Sequence, residues 1–238
     1  MPKKKGSPVF NAGTMGEGPY NKHVHKRAYG AWMCMMQRCY NPRSLSYASA
    51  GAKGVHVCDE WLDFQRFAAW YEARDYVPEG SAGAVLARLM GAETNFGPDT
   101  CRVVPRELLP ALVVSGRSRR GLPGGVNKAA GHRYAAMTMQ NGKPCRHEAR
   151  DTPEEARADY LEARANTLEA EAARLDAMLT DEARTAVAAR CAKLRAEAVA
   201  LRAEGIRAKE ERRTAFEAKL QAMQAIQRRG KGKKEAIR

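Results

Sequence analysis

Apolar residues recur at helical spacing in two stretches near the start of the chain. From Ala28 to Cys39 they follow a period of three to four residues, and Asn41-Pro42 ends the run. The second stripe begins after Asp59, which we predict to be its N-cap, and consists of Trp61, Phe64, Phe67, Ala68 and Tyr71. The pattern predicts two short amphipathic helices whose tryptophans belong to a core rather than to a ligand platform.

The segments around these helices carry strand, turn and linker signals. Residues 1–22 contain few large apolar side chains, which predicts a mobile arm. Val55–Cys58 is a brief β-prone run, and residues 75–104 are rich in Gly and Pro with short apolar pieces, which indicates a compact hairpin or loop. Ser115–Arg120 indicates a basic linker, with a domain boundary near residues 110–120.

The strongest local signal is a hairpin in the second half of the chain. Residues 132–140 and 143–149 flank Asn141-Gly142, the favoured pair for a two-residue turn because both turn positions need positive φ. Gly124–Asn127 can supply a third strand. A helix is then predicted from Asp151-Thr152-Pro153, where a capping residue precedes proline at the first helical position.

From Pro153 to about Arg229 the chain has the composition of long helices, with only Gly205 as a breaker. A fresh helix start at Thr180-Asp181 predicts two helices, which form either an antiparallel hairpin or one bent rod. Leucines seven residues apart predict apolar stripes that pair with another helix, in the same chain or in a second subunit. The predicted association residues are Leu161, Leu168, Leu175, Leu194 and Leu201.

Together these elements predict an α+β protein with a small helical and hairpin N-terminal domain, a three-stranded sheet with one helix, and a long coiled-coil-like C-terminal helical region. The predicted boundaries are a basic mobile arm at 1–27, the N-terminal domain at 28–112, a basic linker at 113–122, the sheet and helix at 123–165, the long helices at 166–229 and a basic tail at 230–238.

Charge narrows the class of partner. Lys and Arg number 41 against 27 Asp and Glu, a net charge of +14, so the natural counter-surface is a polyanion, most commonly nucleic acid. The excess lies in residues 1–30, 121–150 and 216–238. Solvated tails remain an alternative explanation for Lys3–Lys5 and Lys231–Lys234.

The location of the protein is predicted from what the sequence lacks. It contains no run of about 18 apolar residues, and its N-terminus has no secretory signal pattern. We therefore expect a soluble cytoplasmic protein, without disulfides, in which the six cysteines are reduced thiols. A zinc site built from Cys34, Cys39, Cys58 and Cys101 is not expected, because no Cys-x-x-Cys pair is present.

A group of polar, aromatic and glycine positions between Tyr29 and Tyr71 forms a recognisable pattern. Its members are Trp32, Met36, Arg38-Cys39-Tyr40-Asn41-Pro42, Tyr47, Gly51, Gly54-Val55, Val57-Cys58, Glu60-Trp61, Phe64, Phe67 and Trp70. Asn95-Phe96-Gly97-Pro98-Asp99-Thr100-Cys101-Arg102 continues it. These residues resemble a family of bacteriophage proteins grouped with HNH homing endonucleases, which implies a DNA-directed protein of phage or prophage origin.

A second pattern follows in residues 121–165. Its members are Gly125-Val126, Tyr134-Ala135-Ala136, Asn141-Gly142-Lys143, Asp151-Thr152-Pro153-Glu154-Glu155-Ala156, Tyr160 and Ala163. They resemble the AP2 domain that phage HNH proteins often carry. The resemblance implies a three-stranded sheet, backed by one helix, that enters a DNA groove.

The sequence departs from the endonuclease pattern where catalysis would require carboxylates. The family usually has Leu-Asp-Arg-Ile-Asp where this chain has Leu86-Ala87-Arg88-Leu89-Met90, and the later Asn is Thr100. Ala and Met can neither bind magnesium nor move a proton. We therefore expect no nuclease activity, no metal and no cofactor; His56 is the weak candidate for a remaining base, and an outward position on a strand is its simpler explanation.

Basic residues around the hairpin are the candidate DNA contacts. In the register that the AP2 resemblance implies, Tyr134 packs on the helix, so Arg133, Ala135, Met137 and Met139 face DNA. Met137 and Met139 could press on thymine methyl groups or dock a protein. The predicted nucleic-acid-binding residues are Lys128, Arg133, Lys143, Arg146, Arg150, Arg119 and Arg120.

These patterns predict a phage- or prophage-derived protein that binds double-stranded DNA without cutting it, in the host bacterial cytoplasm, and associates with itself or with a helical partner through its C-terminal helices. The alternative is an interaction or structural protein on the same scaffold that does not bind DNA. An active HNH-type endonuclease is the third possibility. Salt-dependent affinity for duplex DNA separates the first two, and metal-dependent nicking marks the third.

Overall fold

The computed structural model describes residues 8–77, 83–89, 91, 95–114, 121–140 and 143–235. The chain divides into two compact units, one made of residues 1–114 and 165–193, the other of residues 115–164 and 194–238. The two long C-terminal helices therefore contribute residues to both. None of the helices in the described part combines the length and hydrophobicity needed to cross a lipid bilayer.

Three helices build the N-terminal core of the first unit. They are α1 (Lys26–Tyr40), α2 (Asp59–Leu62) and α3 (Phe64–Glu72). The predicted single helix after Asp59 is interrupted, because the Asp63 carboxylate accepts a hydrogen bond from Gln65 N (2.8 Å) and caps α3. The prediction that Asp59 is an N-cap was wrong, since Cys58 occupies that position. The predicted strand at Val55–Cys58 is reduced to one bridge between Val57 and Phe96.

The apolar stripes of the predicted helices meet in this core. Trp32, Trp61 and Phe64 are all at most 2% exposed. The indole nitrogen of Trp32 donates to the carbonyl oxygen of Trp61 at 2.7 Å, which satisfies a buried donor and joins α1 to α2. Trp70 is half-buried beside Trp61, with ring centroids 4.6 Å apart. All three tryptophans therefore serve packing, as predicted.

The segment before α1 differs from the predicted mobile arm over residues 8–25. Val9, Phe10, Met15 and Tyr20 pack against the core. The side-chain amide of Gln65 donates to the carbonyl oxygens of Met15 and Tyr20, at 2.9 Å each. A few apolar side chains are enough to order this segment, because the Gln65 amide also binds its backbone at two points.

The region of residues 75–104 contains the predicted hairpin. Strands β1 (Ala84–Arg88) and β2 (Cys101–Pro105) pair antiparallel, and a short helix, α4 (Leu109–Leu112), follows. The thiols of Cys39 and Cys101 are buried nearby, and burial raises the pKa of Cys39 to about 11. The six cysteines are free in the structure.

The second unit contains the predicted three-stranded antiparallel sheet. Its strands are β3 (Val126–Lys128), β4 (Tyr134–Gln140) and β5 (Lys143–Arg150), in the spatial order β3-β4-β5. Gln140 pairs with Lys143, so only Asn141 and Gly142, which lie outside the described residues, connect β4 to β5.

Two long helices follow, α5 (Pro153–Arg174) and α6 (Asp181–Glu235), and the α+β class is confirmed. Thr152 caps α5 by accepting from Glu155 N, and Thr180 caps α6 by accepting from Ala183 N, both at 3.2 Å. Within the second unit Arg202 binds Asp159, and Lys209 binds Glu155 (2.8 Å). The helices are therefore packed together as the antiparallel hairpin rather than as a bent rod.

Candidate nucleic-acid interface

The sheet of the second unit has one face packed on the first turns of α5. Gly125 lies directly under Tyr160, where an added Cβ would come within 2.3 Å of the ring. Val126, Ala136 and Thr138 are buried on this face, and Thr138 exchanges a hydrogen bond with His147 Nε2 (2.9 Å). Because this face is covered by α5, a ligand could reach the sheet from its opposite face.

The opposite face carries the two methionines identified from the alternation of β4. Met139 is 55% exposed and lies opposite Pro144, and Met137 is half-buried opposite Arg146. Ala135, on the same face by alternation, is fully buried. The register of β5 shifts between Ala135 and Met137, so the face is not a regular ladder.

Lys128 and Arg133 are brought together at one end of this sheet. They line a concavity of about 310 Å³ together with His132, in the connection between β3 and β4. The backbone of Gly131 and His132 is left-handed (φ 67° and 60°), and Ala129 N donates to Arg133 O at 2.7 Å. A histidine in this conformation is uncommon, and the tight turn it makes places two cations and an imidazole around one small space.

Two of the predicted DNA contacts already have partners in the chain. Arg150 binds Asp159 on α5 (2.6 Å), and this hydrogen bond raises the pKa of its guanidinium. Arg133 binds Asp151 (3.1 Å) and also donates to the carbonyl of Ala149. Arg150 therefore joins the sheet to α5. Arg133 remains 47% exposed, so it is accessible to a ligand as well as to Asp151.

Lys143 and Arg146 are the two most accessible cations of β5. Both are exposed, and neither has an ion pair among the residues that the structure describes. Lys143 lies at the hairpin end, and Arg146 lies opposite Met137 near the middle of the face. The remaining candidates, Arg119 and Arg120, lie outside the described residues.

His132 was missed from the sequence. Its signal was Gly131, since a glycine before a basic residue between two strands indicates a left-handed turn. The ion pairs of Arg133 and Arg150 were also missed. Their partners depend on how β5 packs on α5, which spacing along the chain does not reveal.

The leucines predicted to mediate association lie inside the chain. Leu161, Leu168, Leu175 and Leu194 are each at most 2% exposed, and Leu201 is half-buried. The four buried side chains are used to pack α5 and α6 of one chain, so they do not offer a surface to a second subunit. The heptad pattern was read correctly as a buried stripe, but it does not identify which helix covers it.

The region that resembles an endonuclease site contains a histidine and an amide. His56 is exposed, and its Nε2 lies 2.9 Å from Asn95 Nδ2, while Nδ1 lies 3.3 Å from the carbonyl oxygen of Gly54. Ala87 is buried on β1, and Met90 lies outside the described residues. Within the part of the chain that the structure describes, no group of three or more His, Cys, Asp or Glu side chains is placed to hold a metal ion.

We therefore expect the purified protein, loaded with magnesium or manganese, to leave supercoiled plasmid DNA uncut. The reason is that Ala87 and Met90 supply neither a metal ligand nor a base. The measurement is gel electrophoresis of plasmid over long incubation. Nicking by the wild type that disappears in His56→Ala would contradict this expectation and would make His56 the base.

Comparison with protein-family models, with curated proteins and with solved structures finds no match to this chain.

Proposed function

We propose that this chain binds double-stranded DNA, without cleaving it, through the open face of the three-stranded sheet. The observation that carries the proposal is that exposed cations lie on both edge strands of the sheet. Arg146 is opposite Met137 on the open face, while Lys128 and Lys143, opposite Tyr134 and Gln140, lie at the two edges of the covered face. Lys128 belongs to one edge strand, and Lys143 and Arg146 belong to the other. All three are exposed and lack an ion pair among the residues that the structure describes.

The dimensions of the sheet support a groove-binding role. Three strands about 4.8 Å apart have a backbone width of about 10 Å, against about 12 Å for the major groove of B-DNA. Cations on the two edge strands would then meet phosphates on either side of the groove, while Met137 and Met139 lie against base edges. Because methionine carries no hydrogen-bond donor, this surface favours affinity over sequence choice.

The proposal is tested by removing the three unpaired cations together. In Lys128→Ala/Lys143→Ala/Arg146→Ala we expect duplex affinity to fall at least tenfold at low salt, with a slope of log K against log salt that is shallower by up to about 2.7, since each lost phosphate contact removes about 0.9. The measurement is fluorescence anisotropy of a labelled duplex at several salt concentrations.

The matched control is Arg43→Ala/Lys53→Ala/Arg66→Ala, which removes the same charge from exposed positions of the first unit. Its salt slope should equal that of the wild type. A folded sheet variant with unchanged affinity would move the DNA site elsewhere. A wild-type protein with no salt-dependent duplex affinity would favour the alternative, an interaction protein that does not bind DNA.

We further propose that α6 pairs with α6 of a second copy, through a surface different from the buried leucines. Residues 210–224 are exposed along their whole length, with Phe216 at 67%, Leu220 at 46% and Met223 at 60% exposure. By helical periodicity these three continue the face that carries Leu194 and Ala198, which are buried.

The charges around this stripe favour a second copy as its partner. Residues 210–224 contain three acidic and three basic side chains, so the segment does not repel itself. In a parallel pair with Leu220 at an a position, Arg212 of one copy lies beside Glu217 of the other, and the reverse contact forms as well. Such a dimer would hold two sheets on one assembly and increase DNA affinity through bivalency.

A further inference from the structure

A groove of about 640 Å³ runs along the exposed face of α1, in the first unit. One wall is α1, and the other comes from Gly83 and β1. Its floor is apolar, made by Ala31 and Met35 on α1 and by Val85 and Leu86 on β1. The volume is in the range of small-ligand sites and is too small to admit a duplex.

The rim of the groove is positively charged. Lys26, Arg38 and Arg106 line it, all exposed and all without an ion pair in the described part of the chain. Arg27 also lines it but is bound to Asp75 (2.9 Å). No acidic side chain is present among the described lining residues. The groove therefore attracts an anion.

The spacing of these cations indicates an anion with charge along its length. Lys26 and Arg38 lie at opposite ends of α1, about 18 Å apart at 1.5 Å per residue. A ligand with one anionic head would reach only one of them. A short single strand of about five nucleotides would span this distance, at about 3.4 Å per stacked nucleotide.

Gly30 is an independent indication that the groove receives something. It lies in the interior of α1, where glycine disfavours the helix, and it lines the groove. A Cβ added there would meet no atom within 4 Å. Packing within the chain therefore does not require this glycine, whereas a ligand lying close to the α1 backbone would.

We infer that this groove binds a short single-stranded nucleic-acid segment. Its phosphates contact Lys26, Arg38 and Arg106, and its bases lie on the apolar floor beside Ala31 and Leu86. This is the usual combination at sites that accept single strands without regard to sequence, a basic track beside an apolar surface. The inference is separate from duplex binding by the sheet.

Gly30→Leu tests the groove without disturbing the core, because the added side chain enters open space and leucine favours the helix. The probe is a fluorescein-labelled pentathymidylate, measured by anisotropy. We expect at least a tenfold loss of affinity in Gly30→Leu and in Arg38→Ala/Arg106→Ala, with melting temperatures no lower than wild type for Gly30→Leu. Ala69→Leu, an exposed position of α3, and Arg43→Ala/Lys53→Ala are the controls and should keep wild-type affinity.

Cys34 gives a second measurement, because it is exposed and lines the groove. Bound pentathymidylate should slow its alkylation by iodoacetamide, followed by peptide mass spectrometry. The inference is overturned if folded Gly30→Leu binds the single strand as the wild type does, or if saturating single strand leaves Cys34 alkylation unchanged. A loss of single-strand affinity in the sheet variant alone would also overturn it, by placing the strand on the sheet.

Discussion

Leu194→Asp is expected to destabilise the packed pair of α5 and α6 by at least about 4 kcal/mol. Leu194 is 2% exposed, so the substitution removes a buried leucine and puts a charged carboxylate in the same buried space. For a chain of this size the loss corresponds to a fall of roughly 8–16 °C in melting temperature. The measurement is thermal unfolding followed by far-UV circular dichroism.

Leu220→Asp is the matched variant, since it makes the same change on the same face of α6 at a residue that is 46% exposed. Its effect on the melting of the monomer should be within about 0.5 kcal/mol. In light scattering or sedimentation it should weaken the dimer. A chain that is monomeric at every concentration would exclude self-association, and equal melting of both variants would show that the stripe around Leu220 is also covered within the chain.

Trp32→Ala is expected to have the second largest effect, a loss of about 3–5 kcal/mol in the free energy of unfolding of the N-terminal core. The indole is fully buried and packs on Phe64, with ring centroids 5.5 Å apart, and its removal leaves a large cavity. The loss of its hydrogen bond also leaves the carbonyl oxygen of Trp61 without that donor. Urea denaturation followed by circular dichroism measures the change.

Trp70→Ala serves as the comparison because Trp70 is half-buried, with the guanidinium of Arg74 over its ring at 4.9 Å. Partial exposure means that less apolar surface is lost and that water can fill the space, so we expect a loss nearer 1–2 kcal/mol. If Trp32→Ala were no more destabilising than Trp70→Ala, the core would not be centred on Trp32 as described.

Capping and turn residues in the sequence predicted the helix starts and the hairpin, because these features depend on neighbouring residues. The start of α5 at Thr152-Pro153, the start of α6 after Thr180 and the pairing of β4 with β5 all followed from capping and turn residues. The break at Asp63 did not, because Trp61 and Phe64 keep helical spacing across it. Besides the Asp63 cap, the break involves a bridge to Thr14, a residue far away in the sequence.

The candidate site was only partly predictable for the same reason. Alternation identified the face that carries Met137 and Met139, since it needs only the period of a strand. Which cations on the sheet are free depends on acids elsewhere in the chain, Asp151 for Arg133 and Asp159 for Arg150. The groove along α1 gave no sequence signal beyond Gly30, because its second wall is formed by β1, which begins more than forty residues after α1 ends.

The pairing of Arg133 with Asp151 has a consequence for how DNA binding would be measured. Asp151 acts as an internal counterion: Lys209 also binds it (3.1 Å), and its pKa is lowered mainly by that lysine, so it stays charged at neutral pH. A DNA phosphate that binds Arg133 would displace the Asp151 carboxylate instead of a counterion from the solution. Such a contact adds little to the salt slope, so the slope would count fewer phosphate contacts than the complex contains.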